Sequence, residues 1–223
     1  ALENGFTLAS IVNDAPVVIS GNDEGETWRP NNANLKFSGP TSLRKALTNS
    51  RNLVSIRLLE DIGLHKATEH IKSFGFSTEN ELPQSLPLAL GAGVSSPIKV
   101  ATAYTAFAND GHIVKPYIIE KIVTQNGNVL APLTSKYSYK YYYTEAVSAT
   151  NAYLVINILQ DVVKKGTARR ALALKRKDLA GKTGTTNDKR DSWFCGYNRD
   201  FVTTVWFGFD NYKPLYEYAS QLS

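Results

Sequence analysis

Apolar positions recur along this chain with two different periods, and the change of period marks its elements. Residues 1–40 show neither period. The stretch "ISGNDEGETWRPNNANLKFSGP" places Gly, Asn, Asp and Pro at short intervals and reads as a long connection. Pro40-Thr41-Ser42 then opens a helix, with Thr41 or Ser42 as its N-cap and Leu43, Ala46 and Leu47 on one face. The pattern breaks at Thr48-Asn49-Ser50. It resumes in "RNLVSIRLLEDIG", where Leu53, Ile56, Leu59 and Ile62 keep helical spacing up to Gly63. "HKATEHIKSFG" predicts a short amphipathic helix closed by Gly75. "SSPIKVATAYTAFANDG" predicts another, with Pro97 near its start, Gly111 past its end, and Val100, Ala103, Tyr104 and Phe107 towards a core.

Downstream, the apolar runs of "HIVKPYIIEKIVTQNGNVLAP" flank Asn126-Gly127, a strong hairpin signal. The tyrosine-rich "SKYSYKYYYTEAVSA" reads as an irregular connector. "TNAYLVINILQDVVKKG" is a helix ending at Gly166. Three strand-like runs come next: "AGKTGTT", then "DSWFCGYN" and "FVTTVWFGFD" joined as a hairpin around Arg199-Asp200. In the last, Val202, Thr204 and Trp206 alternate with Phe201, Thr203, Val205 and Phe207. Both sets are apolar enough to predict a central strand. Helices among hairpin-linked strands make the fold class α+β with an antiparallel sheet.

Composition narrows the picture. The chain has 223 residues, 43% hydrophobic and 20% charged, enough for a sizeable core. It contains no Met and no signal-peptide pattern at "ALENGFTLASIVND", so it reads as a piece of a longer precursor. Net charge is +5, with an isoelectric point near 9.1. The basic residues cluster at Lys164, Lys165, Arg169, Arg170, Lys175, Arg176, Lys177, Lys189 and Arg190. No zinc-ligand set, RNP-like stretch or aromatic-spaced basic helix accompanies them. A solvated face, or one drawn to an anionic surface, is therefore preferred to nucleic acid. The single cysteine, Cys195, allows no internal disulfide and reads as a buried, inert thiol. His65, His70 and His112 lack metal-ligand spacing, so no metal or other cofactor is expected.

The chemistry concentrates in Lys182-Thr183-Gly184-Thr185-Thr186. A lysine on a strand can project into a cleft, and the hydroxyls can bond a carboxylate. The strand's backbone can pair with a peptide, and Gly184 lets another chain approach. A phosphate loop would need a glycine where Arg176 stands. Alone, this stretch reads more readily as a surface strand. Ser50-Arg51-Asn52, at the helix break, could aim a serine and an asparagine into one cleft; alone it reads as a helix cap.

Taken together, S-x-N followed by K-T-G matches two of the three signatures of penicillin-recognising serine acyltransferases. "LRKALTNSRNLVSIRLLEDIG", "LPLALGAGVSSPIKVATAYTAFANDG", "AYLVINILQDVVKKGTARRA" and "LAGKTGTTNDKRDSWFCGYN" extend the likeness over residues 1–211. The chain resembles the transpeptidase domain of class A penicillin-binding proteins, of the 1A type. That resemblance implies an antiparallel sheet with helices on both faces. It makes 1–40 a connection, 41–115 a mainly helical part carrying S-x-N, 116–211 the strands and helix carrying K-T-G, and 212–223 a tail.

It implies D,D-transpeptidation on peptidoglycan stem peptides, with β-lactams acylating the same serine. Ser50 would relay a proton to the leaving group and Asn52 would hold the substrate amide. Lys182 would hold charge beside Ser50. Thr183 and Thr185, with Gly184 and Thr186 beside them, would take the terminal carboxylate, and the Thr185 N–H would supply half of an oxyanion hole. It also implies a membrane anchor, a glycosyltransferase domain and a location at the outer, periplasmic face of the membrane.

The third signature, S-x-x-K, is expected upstream of Ala1. Two local matches are set aside: Ser42 to Lys45, because Ser42 sits at a helix start where serine caps are expected, and Ser96 to Lys99, because Ser96 precedes Pro97 and Lys99 falls on the face opposite Val100 and Ala103. On this reading the chain alone is not acylated. Two alternatives stay open: a non-catalytic penicillin-fold module that binds peptide or a partner, and a serine β-lactamase, which would need a deacylating carboxylate on a loop between the motifs, where no E-x-x-x-N-like segment stands out.

Overall fold

The structure, a computed structural model, describes residues 1–20, 27–119, 121–132, 143–211 and 213–215. The turn-rich beginning holds more regular structure than its sequence predicts. β1 (Ile11–Asp14) pairs antiparallel with β4 (Gly39–Ser42), and the short β2 (Ile19–Ser20) pairs with β3 (Thr27–Trp28). In β1, Val12 and Asp14 alternate inward while Ile11 and Asn13 face out, so a four-residue strand carries a carboxylate into the interior.

α1 (Leu43–Thr48) starts at Ser42, whose hydroxyl accepts the Lys45 N–H. α2 (Asn52–Ile62) buries Leu53, Val54, Ile56 and Leu59 and ends at Gly63. α3 (Leu64–Lys72) comes directly after it and buries only Thr68. Leu43, Ala46 and Val54 close one core over Val12.

α4 (Pro97–Ala108) buries Ala103 and Ala106 and leads into β5 (His112–Val114). β6 (Lys121–Val123) and β7 (Val129–Pro132) form the expected hairpin over Asn126-Gly127. The connector is described only from residue 143, its positions 135–142 lying outside the described residues. Its end is not irregular: β8 (Tyr143–Glu145) pairs with β5. Of the tail, 212 and 216–223 lie outside as well.

α5 (Ala149–Lys165) packs on the main sheet, β9 (Ala180–Thr185), β10 (Ser192–Tyr197) and β11 (Val202–Phe207), in the order β11-β10-β9 and antiparallel throughout. The strand expected to be central, β11, is therefore at an edge among the described residues, and β10 is central. Phe201 and Phe207 supplied the apolar signal on the second face, yet both are exposed.

Ala180, Tyr197 and Val202 stand opposite one another on one face. They pack with Leu159, Val162 and Val163 of α5 and Tyr104 and Phe107 of α4. Side chains two residues further along each strand share that face, so β9 directs Lys182 towards the helical side.

Candidate active site

The break between α1 and α2 has a defined geometry. The Arg51 N–H donates to the Ala46 carbonyl at 2.9 Å, and the Ser50 N–H donates to that of Leu47 at 3.2 Å. This pair of bonds is a Schellman ending, whose C′ residue takes the left-handed conformation and is commonly Gly. Here it is Ser50, with φ 52°. A residue with a Cβ pays roughly 1–2 kcal/mol for that conformation. The serine is thus kept where a glycine would be easier.

The residues after Ser50 are tied to β1. The Asp14 carboxylate, fully buried, accepts from Asn32 Nδ2 at 2.7 Å and from the Ser38 N–H at 3.1 Å, and lies 3.7 Å from Arg51 Nε. Arg51 also donates to Asn34 Oδ1 and the Lys36 carbonyl. The middle residue of S-x-N therefore faces away from the cleft and anchors the loop. Asn52 Nδ2 donates to the Asn31 carbonyl at 2.8 Å. That occupies one of its two amide N–H groups and fixes which way the side chain lies.

Across the cleft, Lys182 Nζ donates to Ser50 Oγ at 2.9 Å and to the Thr183 carbonyl at 2.7 Å. Burial lowers its pKa to about 8, while Cys195, its cross-strand partner, acts in the opposite direction. Cys195 is buried, and burial raises its thiol pKa, in keeping with an inert thiol.

The three threonines differ. Thr183 Oγ1 lies 2.7 Å from Thr167 Oγ1, just after α5. Thr185 is exposed at the end of β9. Thr186 Oγ1 accepts from the N–H groups of Arg190 and Asp191, at 3.1 and 2.8 Å, so its hydroxyl closes the β9–β10 turn. The missing Cβ of Gly184 makes room for Trp193, whose own Cβ would lie 3.3 Å away.

Both local S-x-x-K matches are helix caps in which the lysine supplies only its backbone N–H: Lys45 N to Ser42 Oγ, and Lys99 N to Ser96 Oγ. The side chain of Lys99 is held by Glu81.

Sequence reasoning missed Asp14, Asn31, Asn32 and Thr167. Asp14 lies in a stretch that shows neither period, so its inward position becomes visible only once β1 is paired with β4. Thr167 gave no signal either, since only folding brings it to β9. Among the described residues, no group of three or more His, Cys, Asp or Glu could hold a metal ion, and no helix is long and apolar enough to cross a membrane.

The two walls, S-x-N on a helix break and K-T-G on a sheet edge, can be set beside known proteins. The family profile described as penicillin binding protein transpeptidase domain matches residues 1–212. The chain belongs to this family. It is 42% identical to penicillin-binding protein 1A of Pseudomonas aeruginosa and 47% identical to that of Neisseria meningitidis serogroup A, in each case over 96% of its length. It spans only 31% and 27% of those relatives.

The crystal structure of penicillin-binding protein 1A from Haemophilus influenzae superposes with a TM-score of 0.87 at 31% identity, covering 96% of this chain and 36% of that one. PonA1 from Mycobacterium tuberculosis, at 24% identity and a TM-score of 0.79, shares the fold. The penicillin-binding transpeptidase fold, mixed α/β with antiparallel sheets, is thereby established for this chain.

Proposed function

We propose that this chain forms the substrate-binding walls of a peptidoglycan D,D-transpeptidase that works through a serine acyl-enzyme and is acylated by β-lactams. The observation that carries this reading is the 2.9 Å bond from Lys182 Nζ to Ser50 Oγ, between residues 132 positions apart.

An ammonium donating to Ser50 Oγ leaves the serine proton free to point along the cleft. Ser50 is then set to deliver a proton to the departing D-alanine amine and to recover it from Lys182. Lys182, in a half-buried site, also attracts the carboxylate that ends the D-alanyl-D-alanine stem. Thr183 and Thr185 bond that carboxylate, and the Thr185 N–H forms half of the oxyanion hole. The second N–H of the Asn52 amide bonds the substrate's amide carbonyl. Thr186 belongs to the turn beneath Thr185.

Ser42 and Ser96 act as caps, and the family likeness suggests that the nucleophile belongs to an S-x-x-K segment upstream of Ala1. The family likeness further suggests a membrane-anchored parent with a glycosyltransferase domain, working at the outer face of the bacterial membrane. Peptidoglycan stem peptides and β-lactams are its partners, and nucleic acid is not one.

A fluorescent penicillin tests the reading. The protein carrying the upstream segment becomes covalently labelled, and residues 1–223 alone do not. Stoichiometric labelling of residues 1–223 would overturn the placing of the nucleophile. Unchanged labelling of Lys182→Ala and Asn52→Ala in the longer protein would overturn the roles of the walls.

A further inference from the structure

Thr167 stands where both walls meet. Its N–H reaches the Thr48 carbonyl, two residues before Ser50, at 3.4 Å, and its hydroxyl lies 2.7 Å from that of Thr183. The approach is close because position 166 has no side chain. A Cβ on Gly166 would lie 2.2 Å from the Thr48 carbonyl oxygen and 2.8 Å from Val162 Cα. α5 therefore ends by pressing its last turn against the end of α1 while presenting a hydroxyl to β9. Thr167 is exposed, so this hydroxyl pair faces the solvent side of the cleft.

We infer that Thr167 is a positioning residue for carboxylate recognition: its O–H donates to Thr183 Oγ1, so that the Thr183 proton points to the ligand's carboxylate. The inference rests on the transpeptidase reading above. A hydroxyl has one proton and two lone pairs. Of two hydroxyls 2.7 Å apart, one donates and the other keeps its proton for a third partner. The transpeptidase reading gives Thr183 to the carboxylate, so its proton is the one that must stay free for the ligand. A donor behind it also polarises it, strengthening the outgoing bond. Sequence spacing gives no hint of this relay, because the two threonines are joined only through the packing of α5 on β9.

The test is the rate of acylation by a penicillin free acid and by its methyl ester, in the protein carrying the upstream S-x-x-K segment. Thr167→Val lowers the acid rate about five- to tenfold and the ester rate by no more than about twofold, so the preference for the acid shrinks. Thr167→Ser restores the preference. Thr183→Val, measured alongside, also reduces it. Equal losses on acid and ester in Thr167→Val would overturn the inference, as would no loss at all or failure of Thr167→Ser to recover. If Thr183→Val leaves the acid preference intact, the carboxylate assignment itself fails, whatever Thr167 does.

Discussion

Lys182 Nζ donates a hydrogen bond to Oγ of Ser50, joining the edge strand of the sheet to the break between two helices. Each partner sits in a state its fold does not favour. Ser50 holds a left-handed backbone, and Lys182 keeps an amine where burial lowers its pKa. Strain of this kind persists where the surroundings over-determine it, and it collects at functional sites.

The Ser50 conformation can be measured directly. Ser50→Gly and Ser50→Ala both remove the hydroxyl, but only glycine relieves the left-handed Cβ. Ser50→Gly should be more stable than Ser50→Ala by about 1 kcal/mol, seen as a Tm higher by roughly 2–4 °C. Equal stabilities would mean that the backbone is not held left-handed in solution.

Lys182 predicts opposite pH trends for stability and binding. Its folded pKa, about 8, lies below the ordinary 10.5. Between those values the unfolded chain binds more protons, so folding stability rises with pH there; below pH 8 both states are protonated and the full penalty applies. The wild type should gain up to about 1.4 kcal/mol per pH unit over Lys182→Met in that window. Acylation by a carboxylate-bearing β-lactam should instead fall as pH rises through about 8, because the ammonium is lost. Parallel stability curves for the two proteins in denaturant titrations would refute the assignment.

Asp14 carries the S-x-N loop from beneath. Asp14→Ala removes the acceptor of the Ser38 N–H, one of the two acceptors of Asn32 Nδ2 and the counter-charge of the largely buried Arg51, and should cost about 3 kcal/mol. Ile11→Ala on the exposed side of the same strand should cost under about 0.5 kcal/mol. Urea midpoints compare the two, and similar losses would show that Asp14 is not an anchor.

Gly166 sets the distance between the walls. Gly166→Ala must push α1 and α5 apart and should destabilise by about 1–3 kcal/mol, whereas Ala substitution at exposed Lys164 should be near neutral. A thermal melt unchanged in Gly166→Ala would show that the close approach is absent.

The sequence was informative where a local rule decides structure. Ser42 as cap, the break at Thr48-Asn49-Ser50, Gly63 as the stop of α2 and the Asn126-Gly127 turn all come from short-range chemistry. The order of the strands did not, because β11 is apolar on a face that stays exposed, and alternation cannot tell a buried face from an uncovered one. Of the site, Ser50, Asn52 and the K-T-G strand were visible as motifs. Their supports were not: Asp14 reaches Arg51 across 37 positions (51 − 14), and Thr167 reaches Thr183 only through α5 packing on β9. Thr186 was grouped with the ligand-facing hydroxyls by its neighbours in sequence, yet its hydroxyl is drawn into the turn by two backbone N–H groups.

The most direct test is the second-order rate of acylation by a fluorescent penicillin in a longer protein that includes the proposed upstream S-x-x-K segment, wild type against Lys182→Ala. Loss of one preorganised electrostatic contact should cost roughly 3 kcal/mol of barrier, a drop of about 10²- to 10³-fold. A rate within about threefold of wild type would contradict the pairing of Lys182 with Ser50 as the working core of the site.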